Sequence, residues 1–284
     1  MDATAIPTGL RPFEPGDTVD GRYNVKREIA RGGTCIVHEA EHVHLGARVA
    51  LKSLVPSALG VRGVDLRLLR EGRALSLARH PNVAEVIDAG VDSVGRAYLA
   101  LVMIEGRSLD GLVAARGRLD VATAVTVLAQ LADALDHVHS TGVVHRDVKP
   151  SNLMIARDPR GTEVLELIDF GIASLDSSDR ATPTPKLTQA GDRIGTYEYM
   201  SAEQLFGDPV DLRADVYSAG VTLYECLAGE VPFPGGHAGV AEAVLTGRAP
   251  PLARAARRRP RQGARRRRPA CARTASRGQV CVGR

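Results

Sequence analysis

The sequence lacks the features of secreted, disulfide-rich and membrane-spanning proteins. It has four cysteines in 284 residues and no CxxC pair, so reduced, unpaired thiols are expected. Residues 1–11 contain no apolar h-region, which argues against a secretory signal. The longest uncharged apolar run, residues 121–132, falls short of the roughly 20 residues that span a bilayer. We therefore expect a cytoplasmic protein with no part in the membrane.

The last 33 residues, 252–284, contain twelve arginines but no lysine, aspartate or glutamate. Without this tail the net charge changes from +4 to −8, so the pI of about 9.0 is a property of the tail. Two origins stay open: a basic arm that binds phosphate backbones through charge, or the out-of-frame ending of a GC-rich gene. We favour the second origin, under which nucleic-acid binding is at most weak and non-specific.

Hydrophobic periodicity changes from strands to helices along the chain. Strand-like runs fill residues 23–54 and recur near 83–91 and 96–104. Between them, residues 65–80 have helical spacing, with Leu66, Leu69 and Leu75 broadly on one face. A helix with an apolar repeat follows over 121–138, Gly142 stands where its left-handed cap is expected, and residues 214–229 suit a buried helix. The pattern predicts an α+β fold with a β-rich first lobe and a mainly helical second lobe.

Polar residues gather at the open end of a predicted β-hairpin. Asn152 begins its first strand, "NLMIA", and Asp169 ends its second, "VLELID". The two ends are neighbours in an antiparallel pair, and both side chains offer the hard oxygen ligands that Mg²⁺ takes. Asp147 and Lys149 lie just upstream in "HRDVKPSN". An ordinary surface loop explains any one of these residues but not their joint placement.

These motifs resemble the eukaryotic-type Ser/Thr protein kinases of bacteria. The ordered set is "IARGGTCIV", "VALK", "LREGRAL", "HRDVKPSN", "DFG", "SAEQ", "DVYSAGV" and "GEVPF", from about residue 23 to about 252. As a set it is specific, whereas the glycine-rich loop alone is weak. The resemblance implies a two-lobed kinase fold and transfer of the ATP γ-phosphate to protein Ser/Thr hydroxyls with Mg²⁺.

The resemblance implies a role for each polar residue of the set. Lys52 would hold the α- and β-phosphates and Glu71 would fix its position, while Asn152 and Asp169 would bind Mg²⁺. Taken singly, Lys52 reads as a snorkelling strand lysine and Glu71 as a solvated helix carboxylate.

Two further residues bear on the acceptor substrate. Asp147 would accept the proton of the substrate hydroxyl, and Lys149 would steady the γ-phosphate. By the same resemblance, a lysine two residues after the aspartate favours Ser/Thr over Tyr substrates.

Adenine recognition is expected from backbone and apolar groups. Leu101 would be the gatekeeper, with Val102 C=O and Ile104 N–H facing the adenine edge. Ala50 and Leu153 would sandwich the ring. A simple buried strand is compatible with these roles, because the polar contacts use no side chain.

The glycine-rich loop departs from the family's GxGxxG pattern, since Ala30, Gly32 and Cys35 stand at the three glycine positions. Gly32, where the backbone must approach the phosphates most closely, is intact, and Gly33 is an extra glycine. Val37 follows on the next strand of the same site. The added bulk and reduced backbone freedom predict weaker nucleotide affinity rather than none.

The resemblance also implies control through an activation loop. Arg146, beside Asp147, suggests that a phosphate binds there, and Thr182, Thr184 and Thr188 are the candidate phosphosites. Glu203 of "SAEQ" would pair with an arginine late in the C-lobe, beyond the point where the motif series stops.

The predicted boundaries are a flexible segment at 1–22, a kinase N-lobe at 23–105, an incomplete C-lobe at 106–251 that lacks its last helices, and a disordered tail at 252–284. Three functions stay open: an active Ser/Thr protein kinase, a non-catalytic or unstable kinase-like fragment with incidental polyanion binding by the tail, or a nucleic-acid-binding module, which rests on the tail alone.

Overall fold

An antiparallel sheet of six strands dominates the first part of the chain. The computed structural model describes residues 10–59, 63–170 and 197–252. The strands are Thr18–Val19 (β1), Tyr23–Arg31 (β2), Cys35–His42 (β3), Arg48–Leu54 (β4), Val86–Val91 (β5) and Ala97–Val102 (β6). They lie side by side in the order β1-β2-β3-β4-β6-β5. The strands predicted over 23–54, 83–91 and 96–104 are all present, with shorter bounds for the last two.

The segment before β2 was predicted to be flexible over residues 1–22, and this is wrong for residues 10–22. Phe13 and Val19 are 2% and 0% exposed and belong to a core on one face of the sheet. The guanidinium of Arg96 lies 4.3 Å from the centre of the Phe13 ring, and β1 pairs with β2. These partners are distant in sequence, so local composition does not reveal them. Residues 1–9 lie outside the described part.

One helix, Val64–Leu77 (α1), packs on β5 and β6. Its predicted apolar face of Leu66, Leu69 and Leu75 is only partly correct. Leu75 is buried, but Leu66 is 54% exposed, and the buried positions include Val64 and Leu68 instead. Leu66 and Leu75 are nine positions apart, which is about 2.5 helical turns, so they lie on opposite sides of α1 and the sheet buries only the side of Leu75.

Gly72 lies at the closest approach of α1 to the sheet. A Cβ atom at this position would lie 2.7 Å from Leu99 Cδ1 and 3.3 Å from the Cβ of Ala89. The glycine lowers the intrinsic helix propensity, yet it allows the helix to pack close to β6. Close packing here brings the next-door residue, Glu71, towards the sheet.

Helices and a small sheet make up the second part of the chain. The helices are Leu109–Arg116 (α2), Val121–Ser140 (α3), Ala202–Phe206 (α4), Arg213–Ala228 (α5) and His237–Thr246 (α6). The strands Gly106–Ser108 (β7), Leu153–Arg157 (β8) and Glu163–Leu167 (β9) pair in the order β7-β8-β9. The predicted hairpin and buried helix correspond to β8–β9 and α5. A two-lobed α+β fold is therefore confirmed.

α3 is the central helix of the larger core. Leu131, Leu135 and Val138 are buried as predicted, whereas Val121 and Val125 are 68% and 56% exposed. Asp120 caps its first turn by accepting from the backbone N–H of Thr123, and Gly142, with a φ of +79°, follows its last turn. By length and composition alone, α3 is the one helix among the described residues that could cross a membrane; its packing in the core explains the same composition.

Candidate active site

A buried lysine links the two sheets. Lys52 lies on β4, and its Nζ donates to Glu71 Oε1 of α1 at 2.7 Å and to Asp169 Oδ1, just after β9, at 2.9 Å. The side chains of Lys52 and Glu71 are 7% and 9% exposed. Strand alternation places Leu51 in the core on the opposite face of the sheet, which leaves Lys52 on the face that carries α1.

Electrostatics keep this lysine charged. Burial opposes its charge, but the carboxylates of Asp169 and Glu71 outweigh burial and raise the pKa of Lys52 well above its usual value. For Asp169, burial acts to raise the pKa, yet Lys52 and the hydrogen bond it donates lower the pKa below its ordinary value. Burial raises the pKa of Glu71. Lys52 therefore stays protonated beside the end of β9.

The loop of residues 145–152, here called the catalytic loop, brings the second group of polar side chains to the same place. Lys149 Nζ donates to both carboxylate oxygens of Asp147, at 2.8 and 2.6 Å. Asn152 Nδ2 donates to the backbone oxygen of Asp147 at 2.8 Å, to its Oδ2 at 2.9 Å and to Asp169 O at 3.5 Å. Glu71, Lys52, Asp169, Asn152, Asp147 and Lys149 thus form one continuous chain of hydrogen bonds.

The hairpin accounts for the meeting of Asn152 and Asp169. Leu153 pairs with Leu167 in the β8–β9 register, and the N–H of Ile168 donates to Asn152 O at 2.9 Å beyond the strands. The two ends are neighbours, as the hairpin pattern predicts. Asp169 has a φ of +56°, a left-handed conformation that is uncommon for a residue with a side chain.

Asp215, at the start of α5, holds the backbone of the catalytic loop. Its Oδ2 accepts from the N–H of His145 at 2.8 Å, and its Oδ1 accepts from the N–H of Arg146 at 2.7 Å. His139 Nε2 lies 2.8 Å from the same carboxylate, which is fully buried. Sequence reasoning named the "DVYSAGV" motif without a role for Asp215. An aspartate at the first turn of an apolar helix was the available signal.

A buried histidine supports the same loop. His145 Nε2 lies 3.3 Å from Ile168 O, and its Nδ1 accepts from the N–H of Asp147 at 3.3 Å. This pattern requires the neutral tautomer with its proton on Nε2. Burial lowers the pKa of His145, in agreement with a neutral ring.

The glycine-rich segment forms a tight turn between β2 and β3. Ala30 pairs with Val37 across the turn, and the N–H of Gly32 donates to Cys35 O at 2.8 Å. Gly33 lies inside the turn. Burial raises the pKa of the Cys35 thiol, so this side chain is a neutral, apolar group and not a reactive thiolate.

The predicted hinge residues follow β6. Leu101 pairs with Ala50 of β4 and packs against the main core. Val102, the last residue of β6, is 40% exposed, and its N–H donates to Glu85 O at 2.9 Å, so this N–H is not available to a ligand. Ile104 lies two residues beyond the strand.

Leu153 does not fit the adenine-contact role. Its side chain is 0% exposed and lies in the main core, so no ligand reaches it. Met154, one residue along β8, lies on the opposite face of the strand and is partly exposed. Successive residues of a strand point to opposite faces, so Met154, and not Leu153, is the apolar side chain on the face of β8 that can contact adenine.

The regulatory predictions lie mostly outside the described residues. Thr182, Thr184 and Thr188 belong to the segment 171–196, which lies outside the described residues. Glu203 is partly buried and lies near Arg213, with Pro209 and Asp211, around a cavity of about 350 Å³; within the described ranges, no ion pair to Glu203 is found.

Comparisons with known proteins agree with this geometry. A family model described as "Protein kinase domain" matches residues 23–253. The serine/threonine-protein kinase pkn2 of Myxococcus xanthus is 39% identical over 244 residues, which is 83% of this chain and 29% of that protein. The serine/threonine-protein kinase PknH of Mycobacterium tuberculosis is 39% identical over 220 residues, 77% of this chain and 33% of PknH.

The fold comparison gives the same result. The crystal structure of the PknI kinase domain from Mycobacterium tuberculosis superposes with a TM-score of 0.62 at 25% identity, covering 86% of this chain and 84% of that one. The chain spans about a third of the length of the two curated relatives named above. The range matched by the family model covers both lobes and the site described here.

Proposed function

The chain belongs to the protein kinase domain family, and from this premise we propose that it transfers the γ-phosphate of ATP to serine or threonine hydroxyls of proteins. The observation that carries the proposal is the continuous hydrogen-bonded chain from Glu71 through Lys52, Asp169 and Asn152 to Asp147. Residues that are distant in sequence meet at one place, and a buried charge network of this kind has little packing value.

The side chains at this place fit a magnesium ion. The NH₂ group of Asn152 is directed at oxygens of Asp147 and Asp169, which leaves its Oδ1 as a ligand atom. Asp169 has a lowered pKa and uses Oδ1 for Lys52, so its second oxygen is available. Hard oxygen donors are what Mg²⁺ prefers. When bound, Mg²⁺ would neutralise phosphate charge.

The other side chains of the site each have a separate role in phosphoryl transfer. Lys52, held charged by two carboxylates, binds phosphate oxygens. Asp147 accepts the proton of the attacking hydroxyl, and Lys149, which occupies both Asp147 oxygens here, exchanges this partner for the γ-phosphate. Asp215 and His145 hold the loop so that the Asp147 carboxylate keeps its direction.

The acceptor class rests on two supports. The relatives named above are serine/threonine-protein kinases, and Lys149 stands two residues after Asp147. Weak, non-specific polyanion binding by residues 252–284, a cytoplasmic location and the boundaries given above stay predictions.

The test is transfer of labelled phosphate from ATP by the purified chain with Mg²⁺, for wild type and Asp147→Asn. We expect incorporation into serine or threonine for wild type and none for Asp147→Asn. Equal incorporation by both proteins contradicts the proposal, and incorporation by neither supports the alternative of a non-catalytic kinase-like fragment.

A further inference from the structure

Gln204 connects α4 to the catalytic loop. Its Nε2 donates to the backbone oxygen of Arg146 at 2.8 Å, one residue before Asp147. The two residues are 58 positions apart in sequence. Arg146 has a φ of +67°, a conformation that costs free energy in a residue with a Cβ and persists only where the surroundings hold it.

Hydrogen bonds at the start of α4 fix the orientation of the Gln204 side chain. Ser201 and Gln204 form a capping box at the start of α4, in which Gln204 Oε1 accepts from the N–H of Ser201 at 3.2 Å. The oxygen of the amide faces the cap, so its NH₂ group faces Arg146 O. An amide meets both demands, because its oxygen accepts while its NH₂ group donates.

Arg146 is thereby held from both sides of its backbone. Its N–H donates to Asp215 of α5 at 2.7 Å, and its C=O accepts from Gln204 of α4. The stretch leading into α4 is itself fixed to α5, since Ser218 Oγ donates to Tyr199 O at 2.7 Å. The left-handed residue before Asp147 is therefore clamped between two helices.

We propose that Gln204 is a positioning residue for phosphoryl transfer: its donated hydrogen bond fixes the strained Arg146 peptide and so the direction of the Asp147 carboxylate. The proposal rests on the proposed function for its catalytic meaning. The clamp itself is a structural claim about residues 145–149, and it is measurable without any activity.

Two matched variants separate the clamp from the cap. Gln204→Glu keeps the oxygen that accepts from Ser201 N–H, so the cap is retained, but it removes the donor and places a carboxylate against Arg146 O. Ser201→Ala removes the hydroxyl, with its 3.4 Å hydrogen bond to Gln204 Oε1, but leaves the Ser201 N–H, which donates to the same oxygen at 3.2 Å. We expect Gln204→Glu to lower kcat by about 10-fold or more, measured well below its Tm, with an unchanged KM for ATP. Ser201→Ala should lower Tm and keep kcat within about twofold.

Hydrogen exchange gives a readout that is independent of catalysis. The amides of residues 145–149 should exchange faster in Gln204→Glu than in wild type and Ser201→Ala. If wild type transfers no phosphate, the proposed function fails while this measurement still judges the clamp. Unchanged exchange in Gln204→Glu overturns the proposal. So does a joint fall of kcat and Tm of equal size in both variants, because Gln204 would then serve only the fold.

Discussion

Replacing Gly72 by alanine tests how α1 is placed against the sheet. Propensity alone predicts a gain, because alanine in a helix interior is favoured over glycine by about 1 kcal/mol. The new Cβ, however, would lie 2.7 Å from Leu99 Cδ1 and 3.3 Å from Ala89 Cβ. Leu99 is 0% exposed, so its side chain has little room to move away.

The two effects have opposite signs and comparable sizes. Overpacking a core by one methyl group costs about 1–3 kcal/mol, so the net change at Gly72 is a destabilisation of about 0–2 kcal/mol after the propensity gain of about 1 kcal/mol. Gly220 in α5 is the matched control, since nothing lies within 4 Å of a Cβ built there. Gly220→Ala should gain about 1 kcal/mol.

The assay is thermal unfolding of the two variants beside wild type. A difference of about 2 kcal/mol between the variants corresponds to roughly 4–8 °C in Tm for a chain of this size. Gly72→Ala should also lower phosphate transfer, because a displaced α1 carries Glu71 away from Lys52. If Gly72→Ala and Gly220→Ala stabilise the protein equally, close packing of α1 against the sheet does not require glycine at position 72.

Three further predictions follow from the buried groups. Lys52→Met should abolish phosphate transfer and lower the free energy of unfolding by about 3–5 kcal/mol, because Glu71 and Asp169 lose their partner. Adding Glu71→Leu should recover part of the Tm but no activity. A full recovery of activity would contradict the role of Lys52. Leu153→Ala should lower the free energy of unfolding by about 2–5 kcal/mol, whereas Met154→Ala should mainly raise the KM for ATP. If instead Leu153→Ala mainly raises the KM and Met154→Ala mainly destabilises the fold, Leu153 is the adenine contact. The pKa of His145 is lowered in the folded protein, so on acidification the unfolded chain takes up the proton first, and the free energy of unfolding falls as the pH drops below about 6.5. His145→Phe should therefore show a shallower fall of Tm between pH 7.5 and 5.5. An unchanged dependence of Tm on pH would exclude His145 as the cause of the fall.

Local patterns predicted much of the fold and of the site. The strands from β2 to β4, the hairpin β8–β9 and the buried helix α5 follow from periodicity and turn residues. Asn152 and Asp169 meet because the hairpin register brings the strand ends together, which needs no knowledge of other elements. The motif set supplied the other members of the group.

The misses share a physical cause, since each depends on a partner distant in sequence. Phe13 is buried under Arg96, so composition alone made residues 10–22 read as flexible. The buried face of α1 is set by the sheet it packs on, and Gly72 is explained by Leu99. Gln204 and Asp215 act through backbone atoms of the catalytic loop, which a side-chain motif does not display.

The central claim is that Asn152 and Asp169 bind the magnesium of a bound nucleotide beside Lys52. ATP affinity measured by calorimetry with and without Mg²⁺ tests it most directly, for wild type, Asp169→Asn and the hairpin control Glu163→Gln. We predict that Mg²⁺ strengthens ATP binding in wild type and in Glu163→Gln but not in Asp169→Asn. An equal effect of Mg²⁺ on all three proteins would contradict the account.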